Sequence, residues 1–391
     1  MSASPEPSRS KRSSLASLFA IVIIDLIGFG IVIPILPFYA ESFGANATLL
    51  GLMVTCYAGM QFLFAPVWGR WSDRVGRRRV MLFTIAGTAL SLGLLGVAAS
   101  LPWLFVARLL GGGFAANISV ASAYITDATD EAERTKYMGL LGASFAVGFI
   151  LGPALGGLLS PFGYGVPMLV AAGLAALNWI FAWARLEEPG GFEPSTQPRR
   201  RWAWPEGDIV RRLCVSNLVF TFAVSQLETV FAFFMLDRYG YDAMGVAFIL
   251  VFMGLVMALV QGGGIRPLAK RFGERSLLIF GVVMLAPSVA VIPWAPGVAV
   301  MLIPLAVSSV ARGLAHPSMM SLVSQAASAG ERGMVMGTFQ SAASLARMLG
   351  PLTAGLLYDA WGPSPFLLGG GLMLVVLALV MPLGIERVGA P

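Results

Sequence analysis

Stretches of about 20 apolar residues recur along this chain, and each has the length at which an α-helix rising 1.5 Å per residue crosses a ~30 Å hydrocarbon layer. Twelve can be drawn, at 16–40, 48–69, 79–100, 102–127, 136–160, 164–185, 211–236, 243–264, 276–295, 298–325, 333–358 and 364–385. Inside a bilayer every backbone polar group must be satisfied within its own segment, so a chain of such stretches is restricted to helices. The expected fold class is an all-α membrane protein of twelve transmembrane helices. Composition agrees: 57% of residues are hydrophobic and 12% charged, against about 25% charged in soluble domains.

Twelve crossings return both termini to one side. Of the twenty-six Lys and Arg, Arg238 falls opposite and Arg108, Arg312 and Arg347 fall inside spans; the other twenty-two lie on the terminal side. By the positive-inside rule that side is the cytosol, as expected for a multi-pass protein of a bacterial inner membrane. The formal charge of +6 is therefore a topology signal and not a nucleic-acid footprint. The N-terminal basic stretch resembles a secretory leader, but its apolar run is too long and lacks a small-residue cleavage site, so it is expected to remain as the first span. Cys56 and Cys214 both sit in apolar stretches and form neither a disulfide framework nor a metal pair.

The chain repeats itself at half-length. Met138–Leu159 in span 5 aligns with Met336–Leu357 in span 11 at an offset of 198, sharing the Met-Gly start, the Gly152-Pro153 and Gly350-Pro351 pairs, and a Gly-Leu-Leu end. RVGRR at Arg74–Arg78 matches RFGER at Arg271–Arg275 at an offset of 197. Two pseudo-symmetric six-helix bundles, 16–186 and 208–386, follow from this. Cytosolic tails at 1–15 and 387–391 flank them, and a Pro-, Gly- and charge-rich cytosolic linker at 187–207 joins them.

Several motifs carry a family resemblance. GRWSDRVGRRRV (Gly69–Val80) resembles the loop 2–3 signature of the major facilitator superfamily, and DLIGFGIVIPILP (Asp25–Pro37) resembles the span 1 signature of its drug/proton antiporters. LFVARLLGGGFAA (Leu104–Ala116) is similar to the span 4 signature built around an arginine, with departures at Gly111 and Phe114. GFILGPALGG (Gly148–Gly157) resembles the antiport-associated signature of span 5, and YITDATDEAERTKYMG (Tyr124–Gly139) a segment of the tetracycline exporters. The resemblance covers essentially the whole chain and implies the major facilitator fold, proton-coupled multidrug efflux by alternating access, and the proton gradient, with no cofactor, as energy source. Spans 3 and 9 hold none of the further acids that the tetracycline exporters carry there.

Physical chemistry gives these motifs expected roles. Gly69 and Gly76 would let the chain turn out of span 2 into span 3. Arg74, Arg78 and Arg79 would hold the loop at the anionic leaflet, at about 1 kcal/mol each. An acid among five bases adds nothing to lipid attraction, and the resemblance implies that Asp73 meets the positive N-terminus of span 11 near Gly333 while Arg77 reaches Asp127. Gly69, Asp73, Arg74, Gly76, Arg77 and Asp127 thus form an expected conformational latch; Lys270 replaces the aspartate in the second copy, so that half should latch weakly. Gly148, Gly152 and Gly156 share one face of span 5, and with Pro153 and Gly157 are expected to form a sliding contact between halves; tight packing is the plainer alternative.

Ions inside the membrane cost at least ~2.5–3.5 kcal/mol each at mid-depth and mark function. Asp25 lies about 14 Å from the cytosolic edge and Arg108 about 21 Å, within reach of each other; Glu228 and Arg347 lie within about 5 Å in depth. Two ion pairs are expected, Asp25 with Arg108 and Glu228 with Arg347, either as static struts or with Asp25 as proton carrier. Arg312 and His316, one turn apart, could share a face, His316 as packing or as a relay. Asn117 completes the set of candidate proton-coupling and cavity residues.

There is no GxxxxGK[ST], HExxH, GxSxG or CxxC, so neither direct ATP use nor enzyme chemistry is supported, and no metal is expected. The expected function is proton-coupled export of a small lipophilic substrate by a functional monomer, its partners being that substrate, protons and the lipid bilayer, without nucleic acid. Two rivals remain: a nutrient or metabolite symporter or uniporter of the same fold, and a membrane receptor or scaffold without transport.

Overall fold

A computed structural model describes residues 9–189, 207–327 and 331–383. The tails beyond 8 and 383 and the linker segment 190–206 lie outside them. Helices fill all twelve expected spans, and no strand occurs among the described residues. The segments are α1 (Arg9–Glu41), α2 (Ala47–Val75), α3 (Arg77–Gly96), α4 (Leu101–Phe114), α5 (Asn117–Ala128), α6 (Glu131–Leu159) and α7 (Gly165–Arg185). They continue as α8 (Asp208–Tyr239), α9 (Ala243–Leu259), α10 (Ile265–Phe272), α11 (Glu274–Val291), α12 (Val298–Ala326), α13 (Arg332–Ala360) and α14 (Ser364–Val380). Ten stretches among them are long and apolar enough to cross a membrane by length and composition. Several helices outrun their apolar spans, α2 through to Val75 and α6 back to Glu131, because hydropathy marks only the part in oil while the backbone ladder continues into the polar interface.

Two spans are not the single α-helices expected. The span at 102–127 breaks after Phe114 and restarts at Asn117, and the span at 243–264 passes through a π-helical turn at Val260–Gly264 before α10. Both irregularities coincide with three consecutive glycines, Gly111–Gly113 and Gly262–Gly264. Each Gly costs a helix about 1 kcal/mol relative to Ala.

The chain divides into two compact units. The first comprises residues up to Phe43, Gly59–Arg199 and the opening turns of α9, Ala243–Phe248. In it, α1 crosses α6 at glycines of both helices: a Cβ built on Gly30 would lie 2.6 Å from the Gly148 carbonyl oxygen, and one on Gly148 would lie 2.5 Å from Leu26 Cβ. A cluster of Leu18, Ile21, Val22, Met81, Ile85 and Tyr124 fills the core behind this crossing.

The second unit comprises Gly44–Ala58, Arg200–Asp242 and everything from Ile249 onward. The start of α2 is anchored within it. Asn46 Oδ1 accepts from the Leu49 N–H at 3.0 Å, an N-cap, and the Asp359 carboxylate accepts from the Ala47 and Thr48 N–H groups at 3.2 and 2.9 Å. Gly51 lies against Pro351 and Gly355 against Ala47, approaches that leave no room for a Cβ.

The glycine face of α6 corrects one expectation. Gly148, Gly152 and Gly156 bear on Leu26, Gly30 and Ile31 of α1, inside the first unit, and only Gly157, 100° further round the helix, meets another partner, Met244 and Ala247. The same division recurs in α13 at the 198-residue offset: Gly350 meets Ser225 of α8, while Gly355 meets Ala47. Pro153 sits within an unbroken α6.

Candidate functional site

At the junction of α2 and α3, Gly76 alone makes the turn, with φ +107°. Gly69 does not: α2 continues past it for six residues, and no neighbour comes within 4 Å of where its Cβ would be. The turn aims the first N–H groups of α3 at the Glu188 carboxylate, which accepts from Arg77 N and, at 3.2 Å, from Arg78 N. That carboxylate occupies the space a Gly76 side chain would need, 2.7 Å from the built Cβ. Glu188 was not singled out in the sequence; its signal is an acid at the end of span 6 facing an arginine-rich helix start.

Arg77 is buried and is the hub of this corner. Its Nη1 meets Asp73 Oδ1 at 2.5 Å and donates to Ser72 Oγ at 2.6 Å, while Nε donates to Asp127 Oδ2 at 2.7 Å. The expected Arg77–Asp127 contact is thus present, and it ties α2, α3 and α5 together. The repeat places Glu274 where Arg77 stands and Gln325 where Asp127 stands. There Glu274 accepts from Ser321 Oγ at 2.6 Å and from Gln325 Nε2 at 2.7 Å, so an acid held by neutral donors replaces the ion pair. Gly273 repeats the positive-φ turn.

Deeper in the first unit the hydrogen bond at Asp25 comes from Asn117 Nδ2, at 2.8 Å, and not from Arg108 as expected. Asn117 is buried, and its Oδ1 accepts from Thr84 Oγ1. The helix break explains this geometry. Interrupting the helix after Phe114 makes Asn117 the first residue of α5 and frees carbonyls that a continuous helix would have used. Two donors from α2 take them: Trp68 Nε1 bonds the Gly113 oxygen at 2.5 Å, and Gln61 Nε2 bonds the Ala115 oxygen at 2.9 Å. The Trp68 ring also stacks on Phe114. Gln61, Trp68 and Thr84 escaped the sequence reading; the three-glycine run and two donors seven residues apart on α2 are the signal that points to them. Arg108 is buried on α4, one turn before the glycine run.

In the second unit Glu228 pairs with Arg312, Nη1 to Oε1 at 2.7 Å, rather than with Arg347. Depth along the membrane normal suits both arginines; rotation about the helix axis selects Arg312. Arg347 remains in electrostatic range of Glu228, and both arginines act on His316, whose ring lies against Phe220 and Phe339. Four of the expected residues, Glu228, Arg312, His316 and Arg347, therefore form one constellation. No group of three or more potential metal ligands occurs among the described residues.

The family model described as "Major Facilitator Superfamily" matches residues 18–266 and 264–388. The class D tetracycline resistance protein of Salmonella ordonez is 30% identical, covering 87% of this chain and 88% of its own. Multidrug resistance protein 2 of Bacillus subtilis is 27% identical over 93% of both. Among solved structures, that of the human organic anion transporter MFSD10 aligns with a TM-score of 0.73 and 27% identity, over 95% of this chain and 99% of its own.

Proposed function

We propose that this chain, which belongs to the Major Facilitator Superfamily, is a proton-coupled exporter of lipophilic small molecules that works by alternating access. It is an integral multi-pass membrane protein of a family of transporters, not an enzyme. In the proposed arrangement it sits in a bacterial inner membrane as a functional monomer with both termini in the cytosol. Its relatives named for tetracycline and multidrug resistance support export as the direction.

The observation that carries the reading is the Asp25–Asn117–Thr84 chain. Asp25 is the one acid placed well inside the first six spans. A guanidinium bonded to it would pin the carboxylate in its charged form, whereas an amide donor holds its position and leaves it able to take up or release a proton. An ion is costly at mid-depth in a bilayer, so a change in surroundings moves the proton. The Glu228–Arg312–His316–Arg347 constellation supplies polar groups to the second unit, with the buried rings of Phe220 and Phe339 packed against His316.

The test is substrate-evoked proton flux in proteoliposomes against a panel of lipophilic cations, neutral drugs and sugars. Proton movement opposite to a lipophilic substrate supports the proposal. Flux only with sugars, or proton and substrate moving together, overturns it.

A further inference from the structure

We infer that the first unit carries a binding site for an anionic phospholipid, set at the end of α2 and the start of α3. A groove of about 510 Å³ lies there, lined by Val67, Trp68, Arg70, Trp71, Arg74 and Phe83. Its floor is aromatic: Trp71 and Phe83 meet edge to face with centroids 5.5 Å apart, and Trp68 lies 5.5 Å from Phe83. Its rim is cationic. Arg70 and Arg74 are exposed, and neither is paired with a carboxylate among the described residues, unlike Arg77 beside them.

The surface leading away from the groove matches the rest of such a molecule. On α2, Leu63, Val67 and Trp71 recur every four residues and are all exposed; Phe83 and Leu90 on α3 and Val97 at its C-terminal cap recur every seven and are likewise exposed. Because the two helices are joined at Gly76, both apolar stripes run from the groove toward the far side of the membrane. Apolar tracks that end in two unneutralised guanidinium groups complement an amphiphile with acyl chains and a phosphate headgroup. The same charges disfavour a lipophilic cation, which separates this groove from a substrate site for such molecules. Aromatic rings at this level are the usual occupants of the boundary between headgroups and chains.

The inference takes the leaflet from the orientation proposed above, but its test reads binding in detergent and needs neither orientation nor transport, so the two can fail separately. Native mass spectrometry of the purified full chain, titrated with dioleoyl phosphatidylglycerol or dioleoyl phosphatidylcholine, compares headgroups on identical chains. The intact protein should retain phosphatidylglycerol preferentially. Arg70→Gln with Arg74→Gln should weaken it about thirty-fold, phosphatidylcholine being unaffected. Arg70→Lys with Arg74→Lys should keep most of the preference and covers the case in which the glutamine variant does not fold; Trp71→Ala should weaken both lipids alike. Equal binding of the two lipids by the unaltered protein, an unchanged preference in the glutamine variant, or a dimer that excludes lipid from the groove would overturn the inference.

Discussion

Gly152 offers the sharpest test of how α6 is held. A Cβ built there falls on the Cα and carbonyl carbon of Gly30, the latter at 2.6 Å, and 2.9 Å from the Ile27 carbonyl oxygen. All three are backbone atoms, so no rotamer change relieves the contact. Restoring a van der Waals separation of about 3.5 Å requires α1 and α6 to part by about 1 Å. Overpacking of this kind costs roughly 1–3 kcal/mol, and the gain in helix propensity returns up to about 1 kcal/mol. Gly152→Ala should therefore destabilise the first unit by about 1–2 kcal/mol. Gly142→Ala on the same helix meets nothing within 4 Å and should be neutral or slightly stabilising. Thermal denaturation of the two variants in the same detergent, followed by tryptophan fluorescence, gives the comparison. A fixed crossing lowers the Gly152→Ala midpoint by several degrees; a sliding contact would spare the midpoint and slow turnover. Equal midpoints for the two variants would refute the packing argument.

Three further outcomes follow from the site. Gln61→Leu and Trp68→Phe each orphan a carbonyl at the α4–α5 break, at a cost of about 1–3 kcal/mol, and hydrogen exchange around Ala115–Asn117 should rise in both; unchanged protection would mean the break does not depend on α2. Arg77→Ala leaves Asp73 and Asp127 facing each other, and because these carboxylates keep some contact with solvent the loss should be about 1–3 kcal/mol, below that of a wholly buried pair; Arg77→Lys should recover part of it in the same denaturation assay. Arg312→Gln removes the direct partner of Glu228 and should raise the KM for export more than Arg347→Gln does; the reverse order would assign the working pair to Arg347.

Much of the architecture can be read from apolar length, because a bilayer admits so few ways of satisfying a backbone. All twelve spans and the half-length repeat emerged from pattern and charge, and the Arg77–Asp127 contact from the family resemblance. What escaped were features set by rotation and by local breaks. Depth along the membrane normal put Glu228 level with Arg347, yet it is the direction each side chain leaves its helix that joins Glu228 to Arg312. The four-residue spacing of Gly148, Gly152 and Gly156 identified a close-packing face, but spacing says nothing about which helix comes near, and that helix is α1. The Asn117 bond to Asp25 depends on a helix interruption that hydropathy does not register, since three glycines count as apolar whether or not the helix survives them. Glu188 lay beyond reach for another reason: its role comes from the closure of span 6 onto the start of span 3, more than a hundred residues away in the chain.

The central claim, that Asp25 exchanges the coupling proton, is most directly tested by Asp25→Asn in proteoliposomes, scoring two activities of one sample. Exchange of labelled substrate down its gradient should persist, because the substitution is isosteric and removes only the exchangeable proton. Uphill export driven by an imposed pH gradient should be abolished. Uphill export at the unaltered rate would contradict the claim and move the proton to another group.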